Sequence, residues 1–224
     1  VVSGTDRSFP EGITAMAVHQ PTHRSPGFHL SSFRGSRAAS APETAVSAGA
    51  GARTARAHVF AVARVLMGFV FLWAFLDKTF GFGYATASGK GWIDGGSPTE
   101  GFLGHVAVGP MEPTFHAWAG AAWADWLFML GLLGIGLALT AGVALRPAAF
   151  AGTVMMALMW VAEWPPAKHL SDGSASMSTN PFVDYHLVYA VVLIALAAVS
   201  AGDAFGLGRL WARLPLVRDH GWLR

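Results

Sequence analysis

Four apolar stretches constrain this chain more than any other feature: Ala57–Leu76, about Ala117–Val143, Pro147–Trp164 and Val183–Ala201. A helix crossing the ~30 Å hydrocarbon core of a bilayer needs about 20 residues. All four stretches fit the accepted range of about 17–25 residues or slightly exceed it, and soluble core helices are seldom this long and apolar on every face. Composition agrees. Only 12% of residues are charged, about half the usual share for soluble domains, roughly 25%, and the mean hydropathy is +0.44. The expected fold is an all-α membrane protein, a bundle of four transmembrane helices.

Charge placement predicts the topology. Arg53 and Arg56 precede the first stretch, Arg146 sits in the tight turn between the second and third, and Arg209, Arg213, Arg218 and Arg224 follow the fourth. The opposite side carries Lys78, Lys90 and Lys168. The positive-inside rule places both termini and the Arg146 turn in the cytoplasm, with loops 77–116 and 165–182 outside. Residues 1–56, rich in Ser, Ala, Gly, Thr, Pro and Arg, read as a disordered cytoplasmic tail, 57–203 as the transmembrane domain and 204–224 as a basic cytoplasmic tail. Arg146-Pro147 and Asn180-Pro181 mark helix starts, with Asn180 as the expected N-cap of the fourth helix, and Pro165-Pro166 stops the third.

The long outer loop contains Ser97-Pro98-Thr99-Glu100, a capping box that predicts a short helix over about Pro98–Val108. Its glycines form no phosphate-binding pattern. Small residues at four-residue spacing (Gly134, Ala138 and Gly142; Ala148 and Gly152; Ala197 and Ala201) predict close helix packing.

Ionisable residues inside membrane helices are costly and need a reason. Arg64, two turns into the first helix, is expected to snorkel to the lipid phosphates. The acids gather at the opposite end: Asp77 closes the first helix, Asp125 lies in the second, Glu163 closes the third, and Asp184 and His186 open the fourth. Asp77 and Asp184, taken singly, read as solvated helix ends. Together with Trp118, Trp160, Trp164 and Tyr189, the group predicts a polar, aromatic-walled pocket opening outward. A quinone needs apolar walls, hydrogen-bond donors and a proton route. His186 and Tyr189 could donate, and Asp125 and Glu163 could relay protons. Asp125, Glu163 and His186 are the candidate catalytic residues, and Trp118, Trp160, Trp164, Asp184 and Tyr189 the candidate cofactor-binding residues.

A metal held by His186 and carboxylates is the rival, but no tight spacing such as His-x-x-x-His supports it, and no metal is expected. His58 and His186 lie at opposite ends of the bundle and cannot share a haem. The chain has no cysteine, which excludes disulfides, thiol catalysis and cysteine-ligated clusters. Neither a dinucleotide-binding motif nor a nucleic-acid-binding face is present.

Gly91-Trp92-Ile93-Asp94-Gly95-Gly96-Ser97-Pro98-Thr99 in the long loop, and Asn180-Pro181-Phe182-Val183-Asp184 leading into the fourth helix, resemble the DoxX/DoxD-like membrane proteins, actinobacterial members above all. The resemblance covers about residues 57–203. It implies a multi-pass protein of the bacterial plasma membrane, serving as membrane subunit of a quinone-linked redox system of the thiosulfate:quinone oxidoreductase kind, with a soluble or membrane redox partner subunit. It carries over no agreed catalytic residues. Two other readings stay open. One is a non-catalytic anchor or scaffold for a redox or stress-response complex. The other is a small-solute transporter, against which stands the lack of a repeated broken-helix pair.

Overall fold

A computed structural model describes the backbone of residues 41–224 and the side chains of residues 51–224. The expectation of disorder for residues 1–40 lies outside the described residues. Among the described residues, eight α-helices run in the order α1 (Ala41–Phe80), α2 (Glu100–Leu103), α3 (Glu112–Trp118), α4 (Ala122–Ala141), α5 (Leu145–Glu163), α6 (Tyr185–Ala198), α7 (Gly208–Trp211) and α8 (Pro215–Asp219). No β-strand is formed among the described residues; a single bridge pairs His169 with Ala175. The described residues are all-α, and among them three helices are long and apolar enough to cross a membrane: the Gly51–Phe80 part of α1, α4 and α5. The fourth apolar stretch forms a shorter helix. At 14 residues, α6 is about 21 Å long.

Two boundaries differ from the sequence expectation. Helix α1 begins at Ala41, so Ala41–Arg56, expected as tail, is helical. Alanine has the best helix propensity of any residue. Once the apolar part has nucleated a helix, an alanine-rich neighbour adds to it at little cost. The second apolar stretch is broken in two. Ala119 leaves the helical region, Gly120 adopts a left-handed φ of 73°, and α4 restarts at Ala122. The Gly120 N–H is donated to the Thr99 hydroxyl at 3.3 Å. The break matters functionally, because it puts Asp125 in the first turn of α4 rather than two turns inside a longer helix.

One apolar core joins the four main helices. Met67 and Phe71 of α1, Met129, Leu132, Ile135 and Leu139 of α4, Leu145, Ala149 and Met156 of α5, and Ala190, Leu193 and Leu196 of α6 are buried together. Helix α5 packs most extensively on α6, and then on α4. Glycine sets the α1–α4 crossing. A Cβ on Gly68 would fall 2.8 Å from the Thr140 backbone nitrogen, and one on Gly136 would fall 2.9 Å from that of Leu72. Of the expected small-residue positions, Gly152 packs against Leu193, while a Cβ on Gly134 would meet nothing within 4 Å. Gly136→Ala should therefore destabilise the bundle by about 1–3 kcal/mol through overpacking. Gly134→Ala, two positions away, should leave the thermal midpoint in detergent unchanged or slightly raised. Equal midpoints for the two variants would contradict this crossing.

The C-terminal end of α4 is fully hydrogen-bonded. The last four carbonyls of a helix lack intrahelical partners. Here Gly142 N, at φ 75°, bonds to Ala138 O and Leu139 O, and Val143 N bonds to Ala138 O at 2.9 Å. Arg64 donates Nη1 to Leu139 O and, at 2.9 Å, to Thr140 O. Leu207 N donates to Ala141 O at 2.8 Å. Arg64 Nη2 also reaches Phe205 O at 2.8 Å. Arg64 is fully buried, so the snorkelling expectation is corrected. The guanidinium turns inward because carbonyls at the C-terminal end of α4, the negative end of the helix dipole, accept its hydrogen bonds. The residues after α6 also meet α4 here: a Cβ on Gly202 would lie 2.1 Å from Gly142 O. Arg146 holds the C-terminal segment, with Nη1 donating to Gly221 O at 2.8 Å.

Candidate functional site

The acids gathered at the loop end of the helices fall into three separate groups. Asp77 is 2% exposed, not solvated as expected. Its carboxylate accepts the backbone N–H groups of Tyr84, Ala85 and Thr86 at 3.3, 2.9 and 2.9 Å. It folds the glycine-rich segment after α1 back onto the helix end.

Asp125 does the same for the next part of the loop. One oxygen, Oδ1, accepts from the Ser97 hydroxyl at 2.8 Å, the Thr99 N–H at 3.0 Å and the Thr99 hydroxyl at 2.6 Å. The sequence read Ser97 and Thr99 only as parts of a capping box. The Ser97 hydroxyl does accept Glu100 N at 3.1 Å, but the helix that follows is only Glu100–Leu103, not Pro98–Val108. Trp118 belongs to a second apolar cluster around Val106, Phe115 and Ala162. The break at Gly120 puts Trp118 and Asp125 on different helices, α3 and α4.

The third group is a site. Glu163 ends α5, followed by Trp164 in a left-handed conformation at φ 44°. The N-cap of α6 is Asp184, whose Oδ1 accepts Leu187 N at 3.0 Å. Asn180, the expected cap, instead accepts Phe182 N and Val183 N in a local turn. The next helical turn carries His186, fully buried on the same face as Ala190 and Leu193. Its Nδ1 lies 2.8 Å from Asp184 Oδ2 and 3.8 Å from Glu163 Oε2. The Tyr185 hydroxyl donates to Glu163 Oε1 at 2.8 Å. One ligand-type atom from each of Glu163, Asp184 and His186 lies within 4.8 Å of the others. Asp125 is not in this group.

Exposure falls steeply across the group. The side chains of Glu163, Asp184 and His186 are 34%, 14% and 1% exposed. Aromatic pairs stand on the same two helix ends: Trp160 and Trp164 have ring centroids 5.6 Å apart, and Tyr185 and Tyr189 5.8 Å. Trp160 Nε1 donates to Phe182 O at 3.0 Å, joining α5 to the approach to α6.

The far nitrogen of the ring decides the chemistry. His186 Nε2 is buried and has no hydrogen-bond partner among the described residues. Asp184 engages Nδ1 at 2.8 Å, which turns Nε2 into an apolar core. A buried polar atom without a partner costs about 1–3 kcal/mol, and such atoms in native proteins call for an explanation. Tyr185 was missed from the sequence. Its signal was its place between Asp184 and His186 at a helix start opposite Glu163. No family model, curated protein or solved structure matches this chain.

Proposed function

We propose that this chain is a quinone-binding membrane subunit of a redox system in the bacterial plasma membrane, with both termini cytoplasmic. The observation that carries the reading is the buried His186 ring, oriented by Asp184 through Nδ1 and lacking a partner at Nε2. A quinone carbonyl accepts from that nitrogen when it carries a proton, a quinol hydroxyl donates to it when it does not, and either form brings a flat apolar ring to the aromatic side chains nearby. When bound, it supplies reversible two-electron chemistry. The chain's own residues hold and orient it: His186 pairs with the ring oxygen, Asp184 fixes the imidazole, and Glu163 and Tyr185 link the buried ring to the surface. The electrons pass to or from a redox centre on a partner subunit, since a chain without cysteine has no thiol pair of its own.

The resemblance to DoxX/DoxD-like proteins supports the same reading and favours a thiosulfate:quinone oxidoreductase type of partner. In this reading α6 completes a fourth crossing, with local thinning of the bilayer accommodating its short length. A photoreactive quinone analogue tests the placement. Irradiated with the purified protein, it should label the segments around Trp160–Trp164 and Asp184–Tyr189. Labelling confined to α1 or to the loop held by Asp125 would exclude this site.

A further inference from the structure

We propose that Glu163, Asp184 and His186 form a divalent-cation site suited to Zn2+, on the opposite side of the imidazole from the quinone. This extends the quinone reading, which supplies the partner of Nε2; the cation itself is read separately. Three features carry it.

The donor set is one imidazole nitrogen and two carboxylate oxygens, and a nitrogen donor favours Zn2+ and its transition-metal neighbours over Mg2+ or Ca2+.

The spacing is close to what a cation needs. Ligand atoms bonded to Zn2+ at ~2.0–2.1 Å in a tetrahedron stand about 3.3 Å apart. His186 Nδ1 is 2.8 Å from Asp184 Oδ2 and 3.8 Å from Glu163 Oε2. The first pair opens and the second closes by about half an ångström, and the two carboxylate oxygens, within 4.8 Å of each other, draw together around the ion.

The third feature is the support behind each ligand. Each carboxylate has one oxygen held by a protein donor and the other turned toward Nδ1. Tyr185 Oη holds Glu163 Oε1 at 2.8 Å, and Leu187 N holds Asp184 Oδ1 at 3.0 Å. Metal sites use such outer hydrogen bonds to orient their ligands. The fully buried imidazole reaches into the group through Nδ1 and has no protein partner at Nε2. The exposed side of Glu163 leaves a position open to water. A cation on Nδ1 also fixes which nitrogen carries the proton. It takes the Nδ1 lone pair, so Nε2 holds the proton and serves only as a donor to a quinone carbonyl.

The test uses the full chain in mild detergent, stripped of metal and titrated with Co2+ and then Zn2+. The expected result is the visible absorption of tetrahedral Co2+, displaced by one Zn2+ per chain. Glu163→Gln should weaken Zn2+ binding at least about tenfold and Tyr185→Phe by a smaller factor, with thermal midpoints near that of the parent. Asp94→Asn, an exposed loop acid, should bind as the parent does. Equal Zn2+ affinity in the parent and Glu163→Gln proteins, or a six-coordinate Co2+ spectrum, would overturn the site. Bound quinone, measured on the same samples, separates the two ideas: loss of Zn2+ binding with quinone retained concerns only the cation, and quinone loss with Zn2+ retained only the quinone.

Discussion

Arg64→Leu is expected to lower the stability of the bundle by about 3 kcal/mol, through polar groups left unpaired. Arg64 is buried within the α1–α4 contact and bonds to the carbonyls of Leu139, Thr140 and Phe205. Leucine would replace the bulk but leave Thr140 O and Phe205 O without these donors, at about 1–3 kcal/mol each when buried. Removing the buried charge offsets part of that cost. For a chain of this size the net loss corresponds to a fall of roughly 10 °C in the thermal midpoint. Arg64→Lys should recover less than half, because a single ammonium lacks the planar fork that reaches both the α4 end and the segment after α6. An unchanged midpoint for Arg64→Leu would show that the α4 carbonyls find other partners.

The next largest effect is expected at Asp125. Its Oδ1 alone receives the Ser97 hydroxyl, the Thr99 N–H and the Thr99 hydroxyl. Hydrogen bonds to a charged acceptor are worth about 1.5–3 kcal/mol each, and these share one atom, so they do not add. Asp125→Ala should cost about 3 kcal/mol and release the loop to rapid proteolysis between Gly81 and Trp118. Asp125→Asn can keep an oxygen in the same place, losing the charge and exchanging the other oxygen for an NH2, so about 1 kcal/mol is expected. Neither change should displace quinone, because Asp125 stands outside the group around His186. If Asp125→Asn removed bound quinone while leaving the loop protected, the division of the acids into separate groups would be wrong.

Much of the fold was legible because long apolar runs carry their own length criterion. The α4–α5 turn at Arg146-Pro147 and the stop before Pro165-Pro166 follow from proline geometry and appear within two residues of the expected positions. The misplaced boundaries have a common cause: local composition was set against tertiary partners that one segment does not reveal. Ala41–Arg56 looks like a linker alone and is helical as an extension of α1. Ala117–Val143 looks continuous, yet Gly120 breaks it where its N–H meets Thr99.

The site was partly legible for the same reason. Asp184 and His186 are two residues apart at a helix start, and Glu163 ends the preceding helix, so one hairpin brings them together. Asp125 shares their end of the bundle by sequence arithmetic, but hydroxyl groups 26 and 28 residues away claim it. Arg64 and Leu139 are 75 residues apart. No local pattern distinguishes an arginine that caps a distant helix from one that snorkels.

The central claim is that the unpartnered face of His186 holds a quinone. Its most direct test is the quinone content of protein purified from membranes in mild detergent, extracted and quantified by mass spectrometry, for the parent chain and His186→Phe. Phenylalanine keeps a flat ring and removes both nitrogens. The account predicts close to one quinone per parent chain and at least a tenfold loss in His186→Phe at an unchanged oligomeric state. Equal quinone in the two proteins, or none in the parent, would contradict it.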